Sequence, residues 1–184
     1  FDTVTANSPG SGTTYAYLHD SSGVDSLIAS PTSATMDRAA GWSDTTVNGF
    51  KRVYAYSRRG GDDTAALTGS AAGGNRYRGY PTYSTLTDTA RSFYHYARGF
   101  RSVTATGSVS DPSSDRAYLY DSSGADTLYG RGNSAILKDT AETTYEIEAL
   151  YFDQVYARSS DGAENDAVDI DDSLVYNLIR SGTW

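Results

Sequence analysis

The chain has 184 residues, with 23 acidic against 15 basic side chains and a formal charge of -8. That length suits one domain or one continuous array of repeats. The charge argues against a nucleic-acid partner, because no basic patch in the sequence would displace the counterions of a phosphate backbone. No apolar run reaches the roughly 18–20 residues of a membrane span.

Cysteine is absent, so thiol usage does not fix the redox compartment. Sixteen tyrosines, two lysines (Lys51 and Lys138) and abundant Ser, Thr, Asp and Gly instead point to a secreted or cell-surface β protein. The sequence opens on Phe1 without a Met or a charged leader, which reads as a mature or excised fragment.

Taken in order, the chain repeats. Phe1-Asp-Thr-Val, Phe50-Lys-Arg-Val, Phe100-Arg-Ser-Val and Phe152-Asp-Gln-Val recur at intervals of 49, 50 and 52 residues. Some 15–17 residues after each Phe comes an Ala-x-Leu element headed by Ala16, Ala65, Ala117 and, degraded, Ala167. A third element follows 18–19 residues later at Ala34-Thr-Met-Asp37, Ser84-Thr-Leu-Thr-Asp88 and Ala135-Ile-Leu-Lys-Asp139. Within each element the period is two, as in Val53/Ala55 and Ala117/Leu119, which is the pattern of a half-buried strand. Glu142–Tyr151 comes nearest to a helical pattern, yet its counterparts read as strand or loop, so it is read as strand. Gly-rich or Ser/Asp-rich corners separate the elements and supply turn chemistry.

Short strands at constant spacing cannot each bury a face alone, but stacked copies bury a continuous strip of Val, Leu and Ala. The expectation is an all-β solenoid, parallel β-helix-like, of about 3.5 repeats (1–49, 50–99, 100–151 and a partial 152–184) in one domain. One turn per 15–19 residues would give a rod of about 50 Å; two larger turns per repeat would give about 35 Å. The alternative architecture is a four-bladed propeller, in which Ala117–Gly130 would be a hairpin. The fourth copy diverges at Asp166-Ala-Val-Asp-Ile-Asp-Asp172, as a capping repeat does. The first copy starts mid-pattern at Phe1, which suggests head-to-tail association into a fibre.

The word Asp121-Ser-Ser-Gly-Ala-Asp-Thr-Leu-Tyr129, and its earlier copy from Asp20 to Ile28, is similar to the calcium-binding nonapeptide of repeats-in-toxin proteins. Gly124, Asp126 and Leu128 match that motif, as do Gly23, Asp25 and Leu27; the leading glycine pair is replaced by Asp-Ser. The full unit resembles the Phe-Asp-x-Val-Tyr-Ala and Ala-Tyr-Leu-Tyr-Asp-Ser-Ser-Gly-x-Asp-Thr-Leu arrays of very large secreted proteins of environmental bacteria. That resemblance covers essentially the whole chain. It implies an extracellular structural or adhesive role and names no activity.

Candidate metal ligands are Asp20 with Asp25, Asp121 with Asp126, and a denser set of Asp161, Glu164, Asp166, Asp169, Asp171 and Asp172. Calcium is the cation that such carboxylate and carbonyl corners would hold; the other reading is that each Asp accepts hydrogen bonds from its own turn. The worn middle copy carries Thr68 and Asn75 where the Asp pair is expected. Tyr15/Tyr17, Tyr54/Tyr56, Tyr94/Tyr96 and Tyr118/Tyr120 are i, i+2 pairs, so each pair shares a strand face. Such a tyrosine ladder would either brace the sheet or present a platform for sugar rings or a second subunit. His19 and His95 are the only histidines and read as strand residues rather than bases. The chain is therefore read as a non-enzyme, with a polysaccharide-cleaving activity as the third reading. Ser/Thr-rich corners are candidates for O-glycosylation; no Asn-x-Ser/Thr sequon occurs.

Overall fold

The computed structural model describes residues 3–110, 114–160 and 165–184. Phe1, Asp161 and Glu164, which the sequence singled out, lie outside the described residues. Among those described there is no helix, and so none long and apolar enough to cross a membrane.

The first repeat supplies β1 (Thr3–Asn7), β2 (Tyr15–His19), β3 (Ser26–Ser30), β4 (Ser33–Asp37) and β5 (Asp44–Asn48). The second supplies β6 (Arg52–Tyr56), β7 (Thr64–Thr68), β8 (Asn75–Tyr80), β9 (Tyr83–Asp88) and β10 (Tyr94–Arg98). The third supplies β11 (Ser102–Thr106), β12 (Arg116–Tyr120), β13 (Asp126–Arg131), β14 (Ser134–Asp139) and β15 (Glu146–Leu150). The partial fourth supplies β16 (Gln154–Arg158), β17 (Ala167–Ile170) and β18 (Asn177–Ser181).

These strands form two continuous sheets. A ten-stranded sheet runs β1-β5-β4-β3-β7-β11-β15-β14-β13-β17, and an eight-stranded sheet runs β18-β16-β12-β8-β9-β10-β6-β2. The result is a β-solenoid of about 4 turns, not a ring of blades. Ten strands at roughly 4.8 Å make the longer sheet about 43 Å from first strand to last.

The steps of 15–19 residues are not equal turns. In each full repeat the first two strands lie in opposite sheets. The third step then enters a meander of three antiparallel strands in one sheet, β3-β4-β5, β8-β9-β10 or β13-β14-β15. Two-residue hairpin loops, Pro31-Thr32, Pro81-Thr82 and Gly132-Asn133, reverse the chain at the start of each meander. Only β4, β9 and β14 run against their neighbours; the other pairings are parallel.

Each full repeat makes three placements on alternating sheets (strand, strand, meander), and that odd number decides the architecture. Each repeat begins on the sheet opposite to the last, so β1 and β11 lie in the ten-stranded sheet while β6 and β16 lie in the eight-stranded one. The same strand returns to the same sheet only after two repeats.

The core is the strip that the alternation demands. Val53/Ala55, Val103/Ala105 and Val155/Ala157 face inward, as do Ala16/Leu18, Ala65/Leu67 and Ala117/Leu119, and all are buried. Each Leu of this strip contributes on the order of 2 kcal/mol by burial alone. At the ends a coil has a neighbour on one side only, so β1 is exposed throughout and β17 is at best half-buried.

Candidate functional site

The Ser-Ser-Gly corners carry the chain from one sheet to the other, β2 to β3 and β12 to β13, and their aspartates tie adjacent coils together. Asp25 accepts the Ser21 N–H at 2.8 Å, the Ser21 hydroxyl at 2.7 Å and the Ala39 N–H at 2.7 Å. Its own N–H donates to Asp63 Oδ1 of the next coil at 2.7 Å, and the Ser57 hydroxyl donates to Asp63 Oδ2 at 2.6 Å. Asp20 accepts the N–H groups of Arg58 and Arg59 at 2.6 and 2.5 Å. The third copy repeats the arrangement. Ser122 donates its N–H and hydroxyl to Asp126, the Asp126 N–H donates to Asp166, and the Ser160 N–H donates to Asp121.

Two carboxylate triads result, Asp20/Asp25/Asp63 and Asp121/Asp126/Asp166, each with oxygens within 4.8 Å of one another. Burial raises the Asp63 carboxyl above its ordinary value, and burial with help from Asp166 and Asp126 raises Asp121 to about 6. These triads are the residues with the oxygen chemistry a hard cation would need. The third members come from about 40 residues away, on the stacked coil. Asp169 and Asp171 lie apart from both triads and form ion pairs with Arg131 at 2.6 and 3.4 Å.

In the middle copy Gly69, rather than Thr68, holds the place of Asp20. Asn75 holds that of Asp25, and Asp115 that of Asp63. The Asn75 amide accepts the Ser70 N–H at 2.7 Å and donates to Asp115 Oδ2 at 2.9 Å, while its backbone N–H donates to Asp115 Oδ1 at 2.8 Å. Here a neutral amide does the joining that a second carboxylate does elsewhere.

The outer face of the eight-stranded sheet is a different surface. Across its middle run Tyr17, Tyr54, Tyr96, Thr85, Arg78, Tyr118 and Tyr156 in register. Tyr54 lies 5.3 Å from Tyr17 and 5.7 Å from Tyr96 between ring centroids, and Tyr118 lies 4.9 Å from Tyr156. Toward the strand C-termini of β2 and β6 stand His19 and Tyr56, followed by Arg98, Tyr83, Tyr80, Tyr120 and Arg158, with Tyr80 stacked on Tyr120 at 4.3 Å. At the other end are Tyr15, Arg52, Tyr94, Thr87, Arg76 and Arg116. No position in these three rows is Asp or Glu. Guanidinium groups lie over the rings, Arg52 over Tyr15 and Tyr94 and Arg78 over Tyr118, at 5.5–5.8 Å. Burial, then neighbouring phenols, raises Tyr80 and Tyr94, so both stay protonated at neutral pH.

The sequence-derived tyrosine pairs thus come together on one face. Sequence reasoning missed Tyr80, Tyr83, Tyr156 and the arginines among them. For Arg76, Arg78 and Tyr80 the signal was the alternation in Asn75-Arg-Tyr-Arg-Gly-Tyr80, which the loss of the Asp word had disguised.

The outward residues follow the sheet and not the repeat position. β1 and β11 read Thr-Val-Thr-Ala-Asn and Ser-Val-Thr-Ala-Thr; the equivalent β6 and β16, on the other sheet, read Arg-Val-Tyr-Ala-Tyr and Gln-Val-Tyr-Ala-Arg. Likewise β2 and β12 read Tyr-Ala-Tyr-Leu-His and Arg-Ala-Tyr-Leu-Tyr, whereas β7 reads Thr-Ala-Ala-Leu-Thr. The inward Val, Ala and Leu stay; the outward side chains change with the side of the rod.

Several grooves border the sheets. One, of about 350 Å³, lies at the Tyr15 end of the tyrosine face and is lined by Thr13, Lys51, Arg52, Arg78, Thr87, Arg91 and Tyr94. Another, of about 240 Å³, contains Asp62, Glu142 and Glu146, of which Asp62 pairs with Arg101 at 3.2 Å and Glu142 with Lys138 at 2.7 Å. His95 is in neither. It points into the core with Nε2 at 2.9 Å from the Ser30 carbonyl, and burial lowers it to about 4.

Fold and surface together define a two-sheet β-solenoid whose eight-stranded sheet carries nearly all the tyrosine and arginine of the described strands. Compared with protein-family models, curated proteins and solved structures, the chain matches none of them.

Proposed function

We propose that the chain is an extracellular structural and adhesive repeat module whose eight-stranded sheet holds glycan on its tyrosine face. The observation that carries this reading is the switch of outward residues with the sheet. Inheritance from a common repeat would put the same side chains on both sides of the rod, yet the tyrosines gather on the eight-stranded sheet, and the described strands of the other sheet carry Tyr129 alone. Tyrosine rings are large, flat and amphipathic, so they can stack on a sugar ring while the phenol donates a hydrogen bond. A role in binding rather than hydrolysis also fits the carboxylates. Those of the corner triads accept backbone N–H groups and recur between repeats, where a cleaving pair would occur once.

A glycan array read with the intact chain and with Tyr54→Ala/Tyr96→Ala tests the proposal. The expected result is binding by the intact chain and its loss in a double variant that stays folded, although it gives up the ring contacts of Tyr54 and Tyr96. An array without hits would sink it. A second reading, head-to-tail self-association, is favoured by β1, which pairs with β5 alone among the described residues and leaves Val4 47% exposed. Light scattering over a concentration series tests it, and a monomer at the highest concentration would exclude it.

A further inference from the structure

We infer that the glycan held on this face is an anionic polysaccharide, and that the groove at Lys51, Arg52, Arg78 and Arg91 receives its carboxylate. The inference rests on the glycan reading above and adds the charge class of the ligand. In a chain with a formal charge of -8, four cations gather in one groove that has no acidic lining residue. Among the described residues none of the four forms an ion pair; the ion pairs belong to Arg101, Arg131 and Lys138. Unpaired cations held close together repel one another, and an anionic ligand relieves that repulsion.

The chemistry of the cations narrows the ligand further. Arg52 lies over the rings of Tyr15 and Tyr94 at 5.8 and 5.7 Å, and Arg78 lies over Tyr118 at 5.5 Å. Stacking fixes the guanidinium plane and leaves its N–H edge free for a two-point contact with a carboxylate. Beside it, Tyr94 and the middle tyrosine row offer flat surfaces at the strand spacing of roughly 4.8 Å, which is about the length of one pyranose unit. A polyuronate laid across the strands would place sugar rings on tyrosines and carboxylates on arginines. A nucleic acid fits less well. It carries a phosphate at every nucleotide, and its affinity depends on many simultaneous phosphate contacts, which a face of dispersed arginines on an acidic rod does not provide.

The test is titration calorimetry of the intact chain with polygalacturonate, with its fully methyl-esterified form and with a single-stranded oligonucleotide, all in EDTA. The backbone sugar is the same in the first two, and only the charge differs. The expected result is that the esterified polymer binds about tenfold more weakly than the acid, and that R52Q/R78Q loses about the same factor for the acid alone. An unchanged melting temperature of R52Q/R78Q shows that the loss is not unfolding. Equal affinity for acid and ester would overturn the inference while leaving the tyrosine-face reading intact. Binding of neither polymer would overturn the inference, with the glycan array deciding the tyrosine-face reading separately, and tighter binding of the oligonucleotide would overturn the anionic-polysaccharide assignment in favour of nucleic acid.

Discussion

His95 stands on the inward side of β10, where every neighbour in the strip is apolar or aromatic, and Phe93 lies 5.0 Å from its ring. Its Nε2 has the Ser30 carbonyl, but Nδ1 has no hydrogen-bond partner among the described residues. Protonation would bury a charge there, which is why its folded value falls from 6.5 to about 4. A depressed value means that the unfolded chain takes up the proton first. The stability His95 confers is thus complete above pH 6.5 and lost as pH falls toward 4, by roughly 3 kcal/mol in all. Urea unfolding from pH 7 to 4 should show that slope, and His95→Gln, whose amide can still reach Ser30, should flatten it. Asp139 acts in a lower window. Burial opposes its charge, yet the N–H groups of Thr143, Thr144 and Tyr145 and the Thr143 hydroxyl outweigh it and lower the group from 3.8 to about 2. Its contribution is present above pH 3.8 and lost toward pH 2, so the two residues can be separated by pH. Asn75 makes the complementary point. Asn75→Asp would remove the amide donor to Asp115 and set a like charge beside it, at an expected cost of about 2 kcal/mol at pH 7. Unfolding curves of the variant and of the intact chain at pH 7 check this.

At the scale of the strand and corner, what holds coil to coil is a set of side-chain acceptors aimed at backbone donors. Each described corner carboxylate already accepts at least one N–H or hydroxyl from its own turn or from the neighbouring coil. The middle corner keeps the same joint with Gly69 and Asn75 in place of two aspartates. The expectation is that EDTA shifts the melting temperature by no more than about 2 °C; a fall of roughly 10 °C or more would make the triads metal ligands, since an ion bound only by the folded state adds stability by mass action. The inward strip and the corners were legible in the sequence because a period of two and a Ser-Ser-Gly word are local properties. The direction of a strand is not. β4, β9 and β14 carry the same alternation as their parallel neighbours, and only the two-residue loops at Pro31-Thr32, Pro81-Thr82 and Gly132-Asn133 betray the reversal. Asp63 and Asp166 could not be paired with their partners for a related reason. They meet Asp25 and Asp126 across 38 and 40 residues, a distance set by the fold-back and not by the repeat.

For the whole molecule, the consequence of three sheet placements per repeat is that successive repeats start on opposite sides of the rod. A 50-residue repeat alternates sheets, so keeping tyrosine on one side requires that successive repeats differ in sequence. This chain meets that requirement at Thr5, Tyr54, Thr104 and Tyr156, which occupy one repeat position and alternate between the sheets. Those four residues allow stability and binding to be separated. Tyr54→Thr/Tyr156→Thr gives the eight-stranded sheet the residue that its counterpart already uses at that position. Cross-strand aromatic pairs contribute roughly 0.2–1 kcal/mol each. Tyr54 has ring neighbours in Tyr15, Tyr17, Tyr94 and Tyr96, and Tyr156 has one in Tyr118. The variant should thus lose about 1–5 kcal/mol and remain folded, because the inward Val53, Ala55, Val155 and Ala157 are untouched. If the face is a ligand platform, glycan binding disappears while the unfolding curve moves only by that amount. If the tyrosines serve the sheet alone, stability falls by the same amount and every glycan affinity stays where it was. Measuring both quantities on one protein sample decides between a braced sheet and a binding face.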